Sequence, residues 1–345
     1  MKAFVTGGTG LFGNTILRQL TERGVSAISL VRNDPAAEVF DGIDTELIKG
    51  NVLDPDLIDD AVSRSDVVIH SAGLIHLGWT RLDESMRINR DAVKVIADAC
   101  IRHDRRFILV GSVNTLATGT LDSPSDESTP ITDQNDQTPC VYVVSKRAGV
   151  EEFRRRLASG LKGFVIHPGY LLGPWDWKPS SGRMVVEIAN KPVWFYALGG
   201  CSVCDARDVA ATTIRTIESG RDDGREYVLA GENMSYKTLW TEMALRLGRP
   251  TPRFAIGRFN RFLGSLIGDL KPRLGGREGD INSASIQMSE LLHYHDSTRA
   301  RKELNYTNRP ISETLDESIQ WINEVHLGGQ FSDPRNAYFD TASID

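Results

Sequence analysis

Tyr142 and Lys146 are two residues whose types and spacing could carry out proton transfer. They stand four positions apart at the start of a segment, Val143 to Leu157, whose apolar spacing predicts a helix. Residues four apart lie on one helix face, so the phenol and the ammonium group can meet. A phenol with a pKa of about 10 is a poor acid or base near neutrality, and an adjacent cation lowers that pKa. We therefore expect Tyr142 to be a general acid or base assisted by Lys146.

A glycine-rich segment near the N-terminus predicts a phosphate-binding turn. It follows an apolar strand, Ala3 to Thr6, and precedes a helical pattern, Asn14 to Arg23. Glycines at this junction allow a tight turn and a close approach of the backbone to a pyrophosphate, while the helix N-terminus supplies N–H donors. The residues predicted to hold the pyrophosphate are Thr6, Gly7, Gly10, Leu11, Phe12 and Gly13.

The glycine spacing is G-x-x-G-x-x-G, which resembles the extended branch of the short-chain dehydrogenase/reductase superfamily, and the resemblance spans roughly residues 1 to 325. Two later segments, Gly173 to Ser180 and Val203 to Ala210, most resemble its dihydroflavonol-reductase-like and 3β-hydroxysteroid-dehydrogenase-like groups. The resemblance implies hydride transfer by a nicotinamide cofactor. It also implies a doubly wound fold.

The resemblance assigns roles to residues around Tyr142 and Lys146. Ser112 directly follows the strand Phe107 to Gly111 and would hydrogen-bond the substrate oxygen, with Thr115 as the alternative. Asn89 matches the helix asparagine of the family and would support the site by hydrogen bonding. Asn is mildly unfavourable inside a helix, which favours a functional reason for its presence.

Arg32 closes the second predicted strand, where an NAD-selecting enzyme would carry an acidic residue for the ribose 2′-hydroxyl. An arginine can instead pair with a 2′-phosphate. We therefore expect NADP(H) to be preferred, with NAD(H) possible because Asp34 lies close by.

Further cofactor contacts are implied by the resemblance alone. Asn51 and Val52 match a segment that touches adenine, although the family usually has Asp at position 51. A turn of small residues would lie under the nicotinamide ribose, and the backbone after the sixth strand would hold the carboxamide. These positions are Ser71, Ala72, Gly73, Pro168 and Gly169. His167 stands where Arg is common, and we interpret it as a buried strand residue.

Several aromatic residues fall on segments that line the substrate in the family, including Trp79 and Trp194. An aromatic wall suits a hydrophobic ketone or alcohol such as a flavonoid, steroid or other terpenoid, although core packing explains such residues equally well. The candidate substrate contacts are His76, Thr115, Tyr170, Trp175 and Trp177.

These residues need a scaffold, and apolar β-type runs alternate with helical patterns through the first half of the chain. This alternation predicts an α/β protein with a Rossmann-type doubly wound parallel sheet. Residues 1–168 would form the NADP(H)-binding domain, and 169–327 a smaller, mainly substrate-binding lobe whose elements partly return to the first domain. Residues 328–345 read as a polar tail.

Composition narrows the function. The chain has 345 residues and a formal net charge of −6, which does not suggest a nucleic-acid partner. No apolar stretch is long enough for a membrane span, and the N-terminus does not resemble a signal peptide, so we expect a cytoplasmic protein. Cys201 and Cys204 form a single C-x-x-C, too few ligands for zinc, and we interpret them as buried strand residues; no metal site is expected.

Three functions remain open. The first is an NADP(H)-dependent carbonyl reductase or hydroxy dehydrogenase acting on a small molecule. The second is a nucleotide-sugar epimerase or dehydratase with a retained cofactor, its sugar diphosphate held by Arg183, Arg253, Arg258 and Arg261. The third is a non-catalytic cofactor sensor. The family also suggests a homodimer through the helices at Ser85 to Ile101 and Val143 to Leu157.

Overall fold

The computed structural model describes residues 1–331. Its first half alternates strands and helices, as the apolar runs predict. In chain order the elements are β1 (Lys2–Thr6), α1 (Leu11–Glu22), β2 (Ser26–Val31), β3 (Thr45–Lys49), α2 (Pro55–Ser63), β4 (Val67–His70), α3 (Leu82–Met86), a π-helical turn (Arg87–Asp91), α4 (Ala92–Arg102), β5 (Arg106–Val110), α5 (Val141–Leu157) and β6 (Lys162–Pro168). Single 3₁₀ turns lie at Ala37–Val39 and Val113–Thr115.

The second half contains shorter strands between its helices. Its elements are β7 (Tyr170–Leu172), α6 (Arg183–Asn190), β8 (Phe195–Tyr196), β9 (Gly200–Asp205), α7 (Ala206–Glu218), β10 (Asp223–Leu229), β11 (Glu232–Ser235), α8 (Tyr236–Arg246), β12 (Phe254–Ala255), α9 (Arg258–Arg273), α10 (Ser283–Met288), β13 (Leu292–His293), α11 (Thr298–Leu304) and α12 (Ile311–His326).

Seven strands form one parallel sheet in the order β10-β6-β5-β4-β1-β2-β3. Strands β1, β4 and β5 lie in its interior and are almost wholly buried, because helices cover both faces. The order reverses between β1 and β4, so the carboxyl ends of these two strands open a crevice where such sheets bind ligands. The predicted Rossmann-type doubly wound sheet is confirmed.

Two apolar layers hold the helices on this sheet. On one face, α1 and α7 pack through Ile16, Leu17 and Ile214. On the other face, α2, α4 and α5 pack through residues such as Ile58, Ile96 and Phe153. These helices carry an apolar stripe on one side, and burying that stripe is their main source of stability.

The alternation of strands and helices continues after residue 168. Helix α7 follows β9 directly and packs on α1, and β10 joins the seven-stranded sheet beside β6. What differs is a second small sheet, in which β9 pairs with β7, β11 and β13. Strand β8 pairs with β12 separately. The predicted polar tail lies mostly outside the described residues, which end at 331.

Cys201 and Cys204 both lie in β9 and are buried, as the strand interpretation predicted. They are three residues apart in a strand, so their side chains point to opposite faces. Accordingly, they belong to different apolar clusters, Cys201 with the second lobe and Cys204 with the main sheet. Within residues 1–331, no group of three or more His, Cys, Asp or Glu side chains could hold a metal ion. None of the helices in this part of the chain has the length and apolar character to cross a bilayer.

Candidate active site

The glycine turn between β1 and α1 is built by close backbone contacts. Gly7 has a φ of +82°, and its carbonyl accepts a hydrogen bond from Gly10 N–H at 3.0 Å. A Cβ at Gly13 would lie only 2.3 Å from that carbonyl oxygen. A Cβ at Gly10 would meet only the same oxygen, at 3.5 Å, so the space in front of the helix end is open.

The start of α1 is suited to an anion. Its N-cap, Gly10, supplies no side-chain hydrogen bond, and the first turn carries no acidic residue. Free N–H groups and the positive end of the helix dipole therefore face this space. The turn thus fits the pyrophosphate of a dinucleotide, with Gly10, Leu11 and Phe12 at the helix end, as the sequence predicts.

The small-residue turn after β4 lies against the glycine turn. A Cβ at Gly7 would be 2.7 Å from Ala72 N, and Ala72 N–H donates to the Thr6 hydroxyl at 3.3 Å. The Thr6 hydroxyl also hydrogen-bonds His70 Nδ1 at 2.7 Å. Burial, with a smaller effect of the nearby Lys146 cation, lowers the pKa of His70 to about 3, so its ring is neutral near pH 7.

Ser112, Tyr142 and Lys146 come together at the carboxyl end of β5. The Ser112 side chain lies close enough to the Tyr142 phenol to lower its pKa. Lys146, one turn further along α5, donates from Nζ to the Val110 carbonyl oxygen at 2.7 Å. A Cβ at Gly73 would lie 3.8 Å from that Nζ, so the lysine sits beside the small-residue turn. The structure therefore gathers these three side chains next to the cofactor crevice.

The prediction that Lys146 lowers the pKa of Tyr142 is wrong. Burial raises the pKa of Tyr142 above its ordinary value, and the nearby Ser112 side chain offsets this only in part. Burial also lowers the pKa of Lys146 to about 8, because desolvation disfavours its charge. The helical spacing places the two residues on one face, but sequence spacing does not reveal how dry that face is.

Asn89 acts as a brace between three elements. It lies in the π-helical turn and is buried, with its amide donating to the Leu74 carbonyl at 2.9 Å and to Ser145 Oγ at 2.8 Å. Its oxygen accepts from Leu74 N–H at 2.8 Å. The contacts link the loop after β4 to α5, which is the supporting role that the family resemblance implies. Gly149 permits this, because a Cβ there would lie 2.2 Å from the Asn89 carbonyl oxygen.

Thr115 and His167 support the loop that carries Ser112. The Thr115 hydroxyl donates to the Ser112 carbonyl at 2.7 Å, so geometry favours Ser112 over Thr115 as the hydroxyl facing Tyr142. His167 is fully buried, with Nδ1 3.2 Å from Thr115 Oγ1 and Nε2 2.8 Å from Glu226. Burial alone would raise the pKa of Glu226, but hydrogen bonds from His167 and Arg154 lower it to about 2. The structure therefore confirms His167 as a buried, hydrogen-bonded strand residue.

Arg32 follows β2 directly and is exposed. Among residues 1–331 it forms no ion pair, although its charge helps to lower the pKa of Glu84. The competing carboxylate, Asp34, is held by Lys49 at 2.7 Å. Asn51 Oδ1 accepts from Leu53 N–H at 3.0 Å, which leaves its amide N–H₂ and a second oxygen lone pair for an adenine. Val52 is buried beneath it.

Three of the predicted substrate residues are occupied by contacts within the chain. The Tyr170 hydroxyl donates to the Ser181 carbonyl at 2.6 Å. The Trp175 ring lies under Arg18 of α1, 5.0 Å from its guanidinium carbon. Trp177 packs edge-on against Trp321 of α12 and donates to Asn14 Oδ1 at 3.3 Å. The contacts of Trp175 and Trp177 are thus with α1 and α12, and they anchor the loop after β7.

Glu278 is a residue that sequence reasoning missed. Its side chain is buried and accepts hydrogen bonds from Trp79 N–H and Thr80 N–H, both at 3.0 Å, and from the Thr80 hydroxyl. It also pairs with His76 Nε2 at 2.8 Å. His76, a predicted substrate residue, thus helps to fasten the loop at 76–80 to the segment between α9 and α10. No local pattern marks Glu278, because its partners lie about two hundred positions away.

The lining beside Tyr142 is apolar. Its ring packs in a cluster with Cys140, Ala284 and Met288, against which Leu77 and Leu291 also pack. Ala284 and Met288 belong to α10, so the second lobe provides one wall of the site. A substrate that reaches the phenol therefore meets aliphatic and thioether groups.

Comparison with known proteins agrees with this site. The sequence model of the NAD dependent epimerase/dehydratase family matches residues 3–230, and the chain belongs to this family. The protein is thus an enzyme of a nicotinamide-cofactor family, with the extended short-chain dehydrogenase/reductase fold that the sequence resembles.

Three similar proteins cover nearly the whole chain. A protein of Synechocystis sp. named "Putative dihydroflavonol 4-reductase" is 24% identical over 92% of this chain and 94% of its own length. A 4-hydroxy-2-methyl-3-oxo-4-farnesyl-3,4-dihydroquinoline-1-oxide ketoreductase of Stigmatella aurantiaca is 29% identical over 98% of this chain and 100% of its own. The crystal structure of gox2253 superposes with a TM-score of 0.79 at 25% identity, covering 96% of this chain and 99% of that one.

Proposed function

We propose that the protein is an NADP(H)-dependent carbonyl reductase or hydroxy dehydrogenase that interconverts a hydrophobic ketone and its secondary alcohol. The observation that carries this proposal is that the side chains of Ser112, Tyr142 and Lys146 lie together at the carboxyl end of β5. Bound NADPH would supply the hydride.

The residues of the chain have distinct tasks in this reaction. Ser112 orients the substrate oxygen, and Tyr142 donates a proton to it during reduction or accepts one during oxidation. Lys146, held by the Val110 carbonyl, presents its ammonium group to the turn at Gly73. The apolar cluster around Tyr142 excludes water from the phenol.

Two observations support NADP(H) over NAD(H). Arg32 is exposed and forms no ion pair within residues 1–331, so it can pair with a 2′-phosphate, and the nearby Asp34 already pairs with Lys49. The glycine turn would hold the pyrophosphate through Thr6, Gly7 and Gly13 as well as the start of α1. Ser71 and Ala72, together with Pro168 and Gly169, would contact the nicotinamide half.

The apolar wall at Tyr142 supports a hydrophobic substrate, and the name of the Stigmatella relative describes a ketoreductase acting on a farnesyl-bearing ring. An epimerase or dehydratase with a retained cofactor is the second candidate, because the family includes such enzymes. Two of the four arginines expected to hold its sugar diphosphate are already paired, Arg183 with Asp280 and Arg261 with Glu290. This pairing disfavours the second candidate.

The test is a comparison of wild type with Tyr142→Phe on a panel of ketones and sugar nucleotides. We expect NADPH-dependent ketone reduction by the wild type and a loss of about 100-fold or more in the variant, since general acid catalysis contributes that much. NADPH affinity should stay within about threefold of wild type. Undiminished reduction by Tyr142→Phe would refute the assignment.

Two further measurements separate the alternatives. Arg32→Asp should raise the KM for NADPH by about tenfold or more and hardly change that for NADH. Purified protein should arrive without nicotinamide and bind NADPH reversibly. Release of tightly held NAD on denaturation would instead favour the epimerase, and NADPH binding without turnover of any ketone or sugar nucleotide would favour a sensor.

The proposal includes a cytoplasmic location and a homodimer through α4 and α5. All four cysteines are free and buried, which supports a reducing compartment. Sedimentation of the purified protein tests the dimer.

A further inference from the structure

Helix α9 turns its apolar stripe outward. Apolar residues recur along it at intervals of three and four, which is the pattern of one helix face. Their exposure ranges from 39% for Leu270 to 84% for Leu274, just past the helix end. The members of this outward stripe are Phe259, Phe262, Leu263, Leu266, Ile267, Leu270 and Leu274. Other amphipathic helices of the protein, such as α1 and α4, bury their stripes.

The inward face of α9 consists largely of small residues. A Cβ at Gly268 would lie 2.2 Å from the Ile281 carbonyl oxygen, and one at Gly264 would lie 3.2 Å from the Ile286 side chain. Asp269, also on this side, accepts from Ser283 N–H at 3.0 Å. The helix is therefore fixed to α10 by glycines and a capping carboxylate, and its large side chains are left for another surface.

The stripe continues onto the neighbouring strands. Phe195 of β8 and Phe254 of β12 pack together at 6.0 Å between ring centroids and are both exposed. Trp194 and Ile281 are exposed as well. Large exposed apolar side chains in such number on α9 and on the strand that leads into it mark an interaction surface.

Basic residues surround the patch. The segment 253–277 carries six basic residues and one acidic residue, a formal charge of +5 in a chain whose total is −6. Only Arg261 among its cations is paired within residues 1–331, with Glu290. The unpaired cations are Arg253, Arg258, Lys271, Arg273 and Arg277. An apolar stripe with a basic border is typical of helices that lie in an anionic bilayer interface.

We propose that α9 and the adjoining β8–β12 ribbon dock the protein on an anionic lipid surface. Phe259, Phe262 and Ile267 would enter the region between head groups and acyl chains, and Arg258, Lys271 and Arg273 would bind the acidic head groups. The protein would lie on the membrane and not cross it.

The charge of the patch argues against a second copy of the chain as the occupant. A two-fold dimer places the same surface patch of both subunits face to face. Two surfaces that each carry five cations unpaired within residues 1–331 would then be brought together, whereas an anionic bilayer complements them.

Docking through α9 would also place the candidate active site around Tyr142 near the lipid. Helix α10, to which α9 is fixed, contributes Ala284 and Met288 to the apolar wall around Tyr142. A hydrophobic ketone could then pass from the bilayer to the phenol along α10. This route rests on the proposed function, whereas the docking itself does not.

The experiment is vesicle flotation of the whole protein. We expect it to float with phosphatidylcholine vesicles that contain about 30% phosphatidylserine, and about tenfold less with phosphatidylcholine alone. About 0.5 M salt should weaken this binding because it screens the cations.

Two sets of variants test the apolar residues and the cations of α9 separately. The triple variant Phe259→Ser, Phe262→Ser, Ile267→Ser should lose about tenfold or more of the binding, since it removes the inserted groups. Its control is Leu47→Ser, Leu121→Ser, Ile131→Ser, which removes exposed apolar groups elsewhere and should bind as wild type.

The charge variant Arg258→Gln, Lys271→Gln, Arg273→Gln should lose binding to a similar degree, about tenfold. Its control is Arg87→Gln, Lys94→Gln, Lys302→Gln, whose residues are exposed on other elements. Thermal melts and NADPH affinity, measured without lipid, should not change in any of the four variants.

The proposal is overturned if the wild type does not float with anionic vesicles, or if both test variants float as well as their controls. It is also overturned if wild type is a dimer that the apolar variant makes monomeric, because the patch would then join two copies. Reduction of a water-soluble ketone in the absence of lipid reports on the proposed function separately. Absence of reduction across the whole ketone panel, with flotation intact, would refute the reductase and leave the docking in place.

Discussion

At the scale of single residues, the pKa of Tyr142 decides the direction in which the site works best. Burial raises this pKa, so the phenol keeps its proton through neutral pH and is ready to donate it. The burial that lowers the pKa of Lys146 to about 8 arises from the same dry pocket. In the proposed reaction, the free enzyme therefore already holds the proton that reduction needs.

This charge state predicts opposite pH profiles for the two directions. For ketone reduction, kcat/KM should be level between about pH 6 and pH 7, because the phenol is protonated and the Lys146 ammonium, with a pKa of about 8, keeps its charge there. For alcohol oxidation, kcat/KM should rise up to about tenfold per pH unit as the phenolate form increases. Steady-state kinetics in both directions measure this. An oxidation profile that levels off below pH 7 would contradict a raised pKa.

Ser112→Ala tests whether the Ser112 hydroxyl lowers the pKa of Tyr142. Loss of the hydroxyl that lowers this pKa should move the rising limb of the oxidation profile to higher pH. Thr115→Ser, which retains the hydroxyl that donates to the Ser112 carbonyl, should leave the limb in place. If the rising limb of the oxidation profile lies at the same pH in Ser112→Ala as in the wild type, the Ser112 hydroxyl does not lower the pKa of Tyr142.

At the scale of elements, two glycines of the turn between β1 and α1 have different expected roles: Gly13 in packing and Gly10 in binding the pyrophosphate. Gly13→Ala would drive a Cβ to within 2.3 Å of the Gly7 carbonyl, and we expect it to lower the free energy of unfolding by about 1–3 kcal/mol. Gly10→Ala meets no such contact and should change stability by less than about 0.5 kcal/mol. Its methyl group should nevertheless weaken NADPH binding, because it enters the open space before α1. Denaturant melts and NADPH titration measure the two effects; wild-type affinity in Gly10→Ala would exclude a pyrophosphate there.

The Glu278 contact fastens the loop at 76–80. Burial alone would raise the pKa of Glu278, but hydrogen bonds from Thr80, from Trp79 N–H and from His76 outweigh it and lower the pKa. In Glu278→Ala these donors lose their acceptor, at about 1–3 kcal/mol for each buried group left unpaired.

We therefore expect Glu278→Ala to be less stable and to have a higher KM for the ketone, with NADPH affinity unchanged. Glu84→Ala is the control, since its pair with Arg81 is exposed and contributes at most about 0.5 kcal/mol. Equal effects of the two substitutions on the KM for the ketone would mean that the loop does not shape the substrate site.

Short sequence patterns predicted the glycine turn and the helix that carries Tyr142 and Lys146. The strand–glycine–helix sequence around Gly7 and the four-residue spacing of Tyr142 and Lys146 are contained in short segments, so sequence analysis could find them. Glu278 could not be found, because its role depends on contacts between distant parts of the chain. The same limit applies to Trp175 and Trp177, whose aromatic character suits a ligand wall as well as the packing on α1 and α12 that the structure has.

The orientation of α9 illustrates a further limit. The sequence pattern predicts an amphipathic helix correctly, because the spacing of its apolar residues has a helical period. The period does not say whether that stripe faces the core or the surroundings. Only the tertiary contact through Gly264 and Gly268 decides this.

At the scale of the whole molecule, buried histidines make stability depend on pH. Burial, assisted by neighbouring cationic or histidine groups, lowers the pKa of both His70 and His295 to about 3. In the unfolded chain a histidine titrates near about 6.5. Between these values the unfolded state binds a proton that the folded state does not, so acidification favours unfolding.

We therefore expect the free energy of unfolding to be level near pH 7 and to fall below about pH 6.5, by up to about 1.4 kcal/mol per pH unit for each such histidine. Urea melts between pH 7 and about pH 5 test this, because most carboxylates titrate at lower pH. His295→Gln should make the slope shallower, even if it lowers stability at pH 7, since the slope depends only on the protons bound. Equal slopes in wild type and His295→Gln would mean that this imidazole takes up its proton inside the folded protein, and the dry interior around Ser125 and His295 would have to admit water.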